Sequence, residues 1–205
     1  MILRFCLFLM LTLFSLQAVS GEEQAERVST HSFKVNDFVL SNQYKKNMPQ
    51  SFPKEIISIF ALADRKGSDQ LEDWITPFYK RYGERVDICG VANMKGLPKM
   101  LRPMLRGIFK KSIEYPVMMD WTGATCEAFK YTAGVADIFI VDRNGLVVHR
   151  IRGEANEQKL KDCYAVIDRL IKEKDAEAAA EENAQSQGKD PQAPESTSDA
   201  PMQES

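Results

Sequence analysis

The side chains best suited to nucleophilic or redox chemistry in this chain are its cysteines, Cys6, Cys89, Cys126 and Cys163. No two of them form a C-x-x-C pair. Cys126 falls in the first turn of a short helix expected over residues 125–132, where the helix dipole favours a thiolate. It is therefore the candidate thiol, with a structural cysteine as the alternative. Cys89 lies in an apolar strand pattern, and Cys163 falls on a helical stripe with Leu160, Ile167 and Leu170, so both read as packing residues. The two histidines, His31 and His149, sit near no cysteine in sequence. Neither a metal site nor a cofactor is expected.

The elements that must hold these groups are organised around residues 55–82. Residues 55–63 form a short apolar run rich in β-branched side chains, as in a strand covered on both faces. Asp64-Arg65-Lys66-Gly67 breaks it, Ser68 is the expected N-cap, and Leu71, Trp74, Ile75, Phe78 and Tyr79 follow at helical spacing. A second strand over 86–92 completes a βαβ unit of a parallel sheet. Residues 33–40 read as an opening strand and 42–53 as a polar connection. A further strand is expected over 115–120. A hairpin spans 133–152 about Asn144-Gly145, whose two central residues would take positive φ. An amphipathic helix over 156–174 closes the domain.

Several of these segments carry motifs. The strand-to-helix frame, with Phe60 at the strand end and Tyr79-Lys80-Arg81-Tyr82 at the helix end, resembles that of redoxins of the thioredoxin-like superfamily, in the branch of TlpA-like and peroxiredoxin-like proteins. Tyr115-Pro116-Val117 with Asp120 resembles the family's (F/Y)PVxxD, and residues 134–148 are similar to its G-V-P-x-x-F strand, turn and strand. The resemblance covers residues 33–173. It implies a single-domain α/β thioredoxin-like fold, a central mixed β-sheet flanked by helices. It also implies where chemistry is absent: Arg65 and Ser68 fall on the family's two cysteine positions, and Ala136 on its cis-proline. No catalytic role is expected at those three positions. Ser68 has no histidine base placed near it in the motif.

The N-terminus begins Met-Ile-Leu-Arg, continues through an apolar stretch over 5–16 and ends in Ala18-Val19-Ser20. This is the pattern of a secretory signal peptide cleaved near Ser20, giving an exported, periplasmic or secreted protein. Residues 5–19 as a helix would reach only ~22 Å against a ~30 Å hydrocarbon core; an uncleaved anchor is the alternative. Residues 21–32 read as a flexible lead, 33–174 as the thioredoxin-like domain, and 175–205 as a disordered acidic tail.

The formal net charge of -2 gives no case for nucleic-acid binding. Residues 95–112 nonetheless contain six basic residues, Lys95, Lys99, Arg102, Arg106, Lys110 and Lys111, and no acidic one. Met100, Leu101, Met104, Leu105, Ile108 and Phe109 form a stripe there, and Pro103 and Gly107 predict a divided helix. The segment is either a crossover helix with a solvated basic back or a docking surface for an anionic surface. Three functions stand open: a non-catalytic binding or scaffolding module for an unknown protein partner, a thiol peroxidase or disulfide reductase working through Cys126, and a peripheral binder of anionic surfaces. After removal of the leader the cysteine count is odd, which allows a disulfide-linked dimer.

Overall fold

The structure, a computed structural model, describes residues 32–187. The chain enters through an antiparallel hairpin of β1 (Phe38–Ser41) and β2 (Asn47–Gln50). Strand β3 (Ser58–Ala63) follows, then a 3-10 turn at Gly67–Gln70 and helix α1 (Glu72–Tyr82). Next come β4 (Asp87–Asn93), a 3-10 turn at Lys99–Leu101, α2 (Arg102–Ser112) and β5 (Val117–Asp120). The short α3 (Ala124–Ala128), the hairpin β6 (Asp137–Val141) and β7 (Val147–Arg152), and α4 (Glu157–Gln187) complete the order.

The main sheet has the order β5-β4-β3-β6-β7, parallel across β5-β4-β3 and antiparallel across β3-β6-β7. All six residues of β3 are buried. Its period-2 alternation sends Ile59 and Ala61 into one core and Phe60 and Leu62 into the other. The first core is roofed by α1, through Trp74 and Phe78, and by α4, through Cys163 and Ile167. The second is closed by β1 and α3, where Phe129 packs against Phe60 and Phe139 at centroid distances of 5.2 and 5.1 Å. The continuous apolar run of β3 is thus explained by two covered faces.

Four local expectations are corrected. Residues 42–53 contain β2, although Asn47-Met48-Pro49-Gln50 has neither β-branched residues nor alternation; pairing with β1 makes it a strand, and Pro49 is tolerated because this is an edge. Ser68 does not cap the helix. The Asp64 carboxylate accepts the amides of Lys66 and Gly67, and the Ser68 hydroxyl donates back to the Arg65 carbonyl. The β6–β7 turn is longer than two residues. Asp142 accepts the amides of Asn144 and Leu146 on its carboxylate, and only Gly145, at φ 85°, takes positive φ.

The fourth correction is at the C-terminus. Residues 175–187 continue α4 instead of beginning a disordered tail. Alanine and glutamate are strong helix formers, and ion pairs of Arg85 with Asp175, at 3.2 Å, and of Arg143 with Glu177 tie the extension to the domain. The expected signal peptide and almost all of the lead, His31, and the tail from 188 onward lie outside the described residues. Among the described residues no helix is long and apolar enough to cross a membrane.

Candidate functional site

The junction between β3 and α1 is held by Asp64, the first residue after the strand. Its carboxylate accepts amide hydrogens from Lys66 at 3.0 Å, Gly67 at 2.9 Å and Gly134 at 2.8 Å. Burial pushes its pKa up, but the hydrogen bonds from Gly67, Gly134 and Lys66 outweigh burial and hold it below the ordinary carboxylate value. The Asp64 amide donates to the Tyr131 hydroxyl at 2.8 Å, and that hydroxyl donates to the Val135 carbonyl at 3.0 Å. Burial pushes the Tyr131 phenol up to about 12, so it remains a donor throughout the neutral range.

Gly67 is buried against the opposite loop. A Cβ there would lie 2.3 Å from the Val135 carbonyl oxygen and 2.8 Å from the Ala136 nitrogen. Gln70 Oε1 accepts the Ala136 amide at 2.8 Å. The Val135–Ala136 peptide is trans, and Ala136 is fully buried. Proline has no amide hydrogen, so this bond depends on the alanine.

Arg65 and Ser68 both point outward. Arg65 pairs with Asp69 at 3.0 Å with both side chains largely in water, and the Ser68 hydroxyl is bonded to the Arg65 carbonyl at 2.9 Å. His149 does not approach Ser68. It is buried on β7 opposite Ile140, facing the core beneath α4, and its Nε2 has no hydrogen-bond partner. The structure therefore brings Arg65, Ser68 and Ala136 to one region, with no sulfur and no base among them.

The three described thiols are free and buried. Cys126 does lie in the first turn of α3, but it is only 3% exposed, and that turn is already capped. The Asp120 carboxylate accepts the Gly123 amide at 2.8 Å and the Cys126 amide at 2.9 Å. Burial pushes the Cys126 thiol well up and the adjacent Asp120 charge pushes it further, so the helix-dipole expectation is reversed. Burial likewise raises Cys89, whose Sγ lies 3.7 Å from Gln50 Oε1, and takes Cys163 up to about 12. Cys89 and Cys126 belong to one core and Cys163 to the other, across the sheet. None of the three offers an exposed sulfur for the disulfide-linked dimer that the odd cysteine count allows.

The six basic residues of 95–112 do not form one face. Arg106 donates to Ser41 Oγ at 2.8 Å and to the Asn42 carbonyl, and the Arg102 and Arg106 guanidinium groups lie over Trp121 at 4.9 and 5.4 Å. Lys95 lies 3.6 Å from Glu127. Lys99, Lys110 and Lys111 are exposed, with Lys110 Nζ 5.4 Å from the Tyr44 ring centre. The division of the helix falls before Arg102, and Pro103 occupies its first turn instead of kinking its interior.

Asp64, Gln70 and Tyr131 are the junction residues that sequence reasoning missed. Asp64 carries a usable signal, an aspartate three residues before a glycine at a helix start; Gln70 and Tyr131 carry none.

Many solved structures are similar to this one, and three of them illustrate the likeness. They are a candidate protein disulfide isomerase from Bacteroides thetaiotaomicron (18% identity, 68% of this chain and 88% of that chain, TM-score 0.50), a candidate thiol:disulfide interchange protein from Chlorobium tepidum (19%, 67% and 95%, 0.51) and a hypothetical protein from Sinorhizobium meliloti (16%, 69% and 84%, 0.52). No family model and no curated protein matches the chain. At these identities the likeness establishes the fold: a single-domain α/β thioredoxin-like fold with a five-stranded mixed sheet flanked by helices.

Proposed function

We propose that this chain is an extracytoplasmic thioredoxin-like module that binds a protein partner and has lost thiol-disulfide chemistry. The observation that carries the reading is the closure of the β3–α1 junction. The positions that the resemblance assigns to the two cysteines hold Arg65 and Ser68, and behind them Gly67 and Gln70 are in direct contact with Val135 and Ala136. Two backbone groups of that loop are satisfied within the junction, the Val135 carbonyl by Tyr131 and the Ala136 amide by Gln70.

Disulfide exchange needs one thiolate to attack a sulfur and a second thiol to resolve the mixed disulfide. Neither exists at this junction. The competing reading, a peroxidase or disulfide reductase working through Cys126, requires that thiol to be ionised and reachable; burial beside Asp120 weighs against both. Export rests on the N-terminal pattern alone.

Insulin reduction with dithiothreitol and peroxide consumption with a thiol reductant test the reading. We expect no turnover above buffer from the folded protein. Turnover that disappears in Cys126→Ser would overturn it in favour of the thiol enzyme.

A further inference from the structure

We propose that the outer face of α2, together with the β1–β2 turn beside it, docks on an anionic lipid surface. This surface is separate from the β3–α1 junction and does not depend on that junction's being inert.

The first observation is that α2 has no buried residue at all. The six apolar side chains of the stripe, Met100 and Leu101 in the preceding 3-10 turn and four on α2, divide. Leu101, Leu105 and Phe109 are half-buried, while Met100, Met104 and Ile108 are 83, 55 and 50% exposed. Met104 and Ile108, four residues apart on α2, share one outward face, and exposed Met100 precedes them in the 3-10 turn. Neither hydrophobic core of the protein claims them.

The second observation is the charge around that face. Lys99 lies at one end of the helical segment and Lys110 and Lys111 at the other, all exposed, with no acidic residue between Lys95 and Ser112. Arg106 fastens the β1–β2 turn to the same helix through Ser41 and Asn42. That turn adds exposed Lys45 and Lys46, next to the half-exposed Tyr44.

The type of cation decides between a bilayer and an acidic protein. Protein interfaces are enriched in arginine and depleted in lysine. Here the arginines are turned inward onto Trp121 and β1, and the exposed cations are lysines. Lysine stems lie along apolar surface while their ammonium groups reach outward, which suits an apolar ridge entering the headgroup region. Methionine, unbranched and adaptable, suits the same irregular medium.

The test is co-sedimentation of the full chain with vesicles of phosphatidylglycerol and phosphatidylcholine, with the emission of a Met104→Trp variant as a local readout. That local readout keeps the apolar stretch at 5–16 from imitating the result. We expect binding that weakens with salt and a blue shift of the residue-104 emission on binding. Lys110→Ala with Lys111→Ala should lower partition roughly 25-fold, from the usual contribution of a lysine near an anionic bilayer. Met104→Ser with Ile108→Ser should abolish it, and Lys80→Ala with Lys172→Ala, on other faces, should leave it unchanged. Unshifted residue-104 emission in the presence of vesicles, partition insensitive to Lys110 and Lys111, or equal binding to soluble polyglutamate would each overturn the proposal.

Discussion

Gln70 and Ala136 are joined across sixty-six residues of chain by a hydrogen bond of 2.8 Å from the Ala136 amide to Gln70 Oε1. The bond sets two elements of the junction against each other between the buried Ala136 and the half-buried Gln70, so losing Gln70 orphans the Ala136 amide. Gln70→Ala should destabilise the fold by about 1–3 kcal/mol, and Ala136→Pro by at least as much. In the Ala136→Pro background, Gln70→Ala should then cost close to nothing, because the shared bond is already gone. Denaturant unfolding of the two single variants and the double variant measures this; strictly additive losses would contradict the bond's role.

Gly67 packs on the same loop with no room for a side chain. Its position requires glycine for close approach and not for its backbone angle, since the obstacle is the Val135 carbonyl at 2.3 Å from an added Cβ. A backbone atom cannot swing aside like a side-chain tip. Gly67→Ala should therefore cost about 1–3 kcal/mol, in the range of other overpacking changes. Gly107→Ala, on α2 with open space around it, should be neutral or slightly stabilising. A fall in thermal midpoint for the first and none for the second is the expected pattern.

His149 should make the protein acid-sensitive in a defined window. Burial lowers its pKa from 6.5, and the Asp162 charge offsets this only in part. The unfolded chain then binds the proton more readily than the native one. The stability contribution is complete above 6.5 and is lost as pH falls from there through the depressed native value. Asp64, also depressed, contributes above 3.8 and loses its share as pH falls below that. Urea unfolding across pH should show two separate losses, the first removed by His149→Gln and the second by Asp64→Asn. Constant stability between pH 7 and 5 would contradict the account of His149.

The two-sided burial of β3, the Trp74 and Phe78 face of α1 and the β6–β7 hairpin were readable as patterns because local periodicity and burial agree there. What periodicity does not carry is which side of a stripe meets the core. The apolar residues of α2 line up at helical spacing, yet half of them, Met104 and Ile108, face outward and belong to neither core. The closed junction was likewise invisible. Gln70 and Tyr131 are ordinary polar residues until the fold brings them to Ala136 and Val135. Cys126 shows a further limit: the helix dipole alone predicted a lowered thiol pKa, but Asp120, six residues earlier, already occupies the amides that would have stabilised a thiolate.

The central claim is that a thioredoxin-like fold persists here without a usable sulfur at its reaction centre. Thiol titration of the native protein at neutral pH with a chromogenic disulfide reagent, followed by mass mapping of the modified cysteines, tests it most directly. The account predicts that Cys89, Cys126 and Cys163 stay unmodified in the folded chain and react only once it is unfolded. Rapid modification of Cys126 in the native state, at the rate of an exposed thiolate, would contradict it.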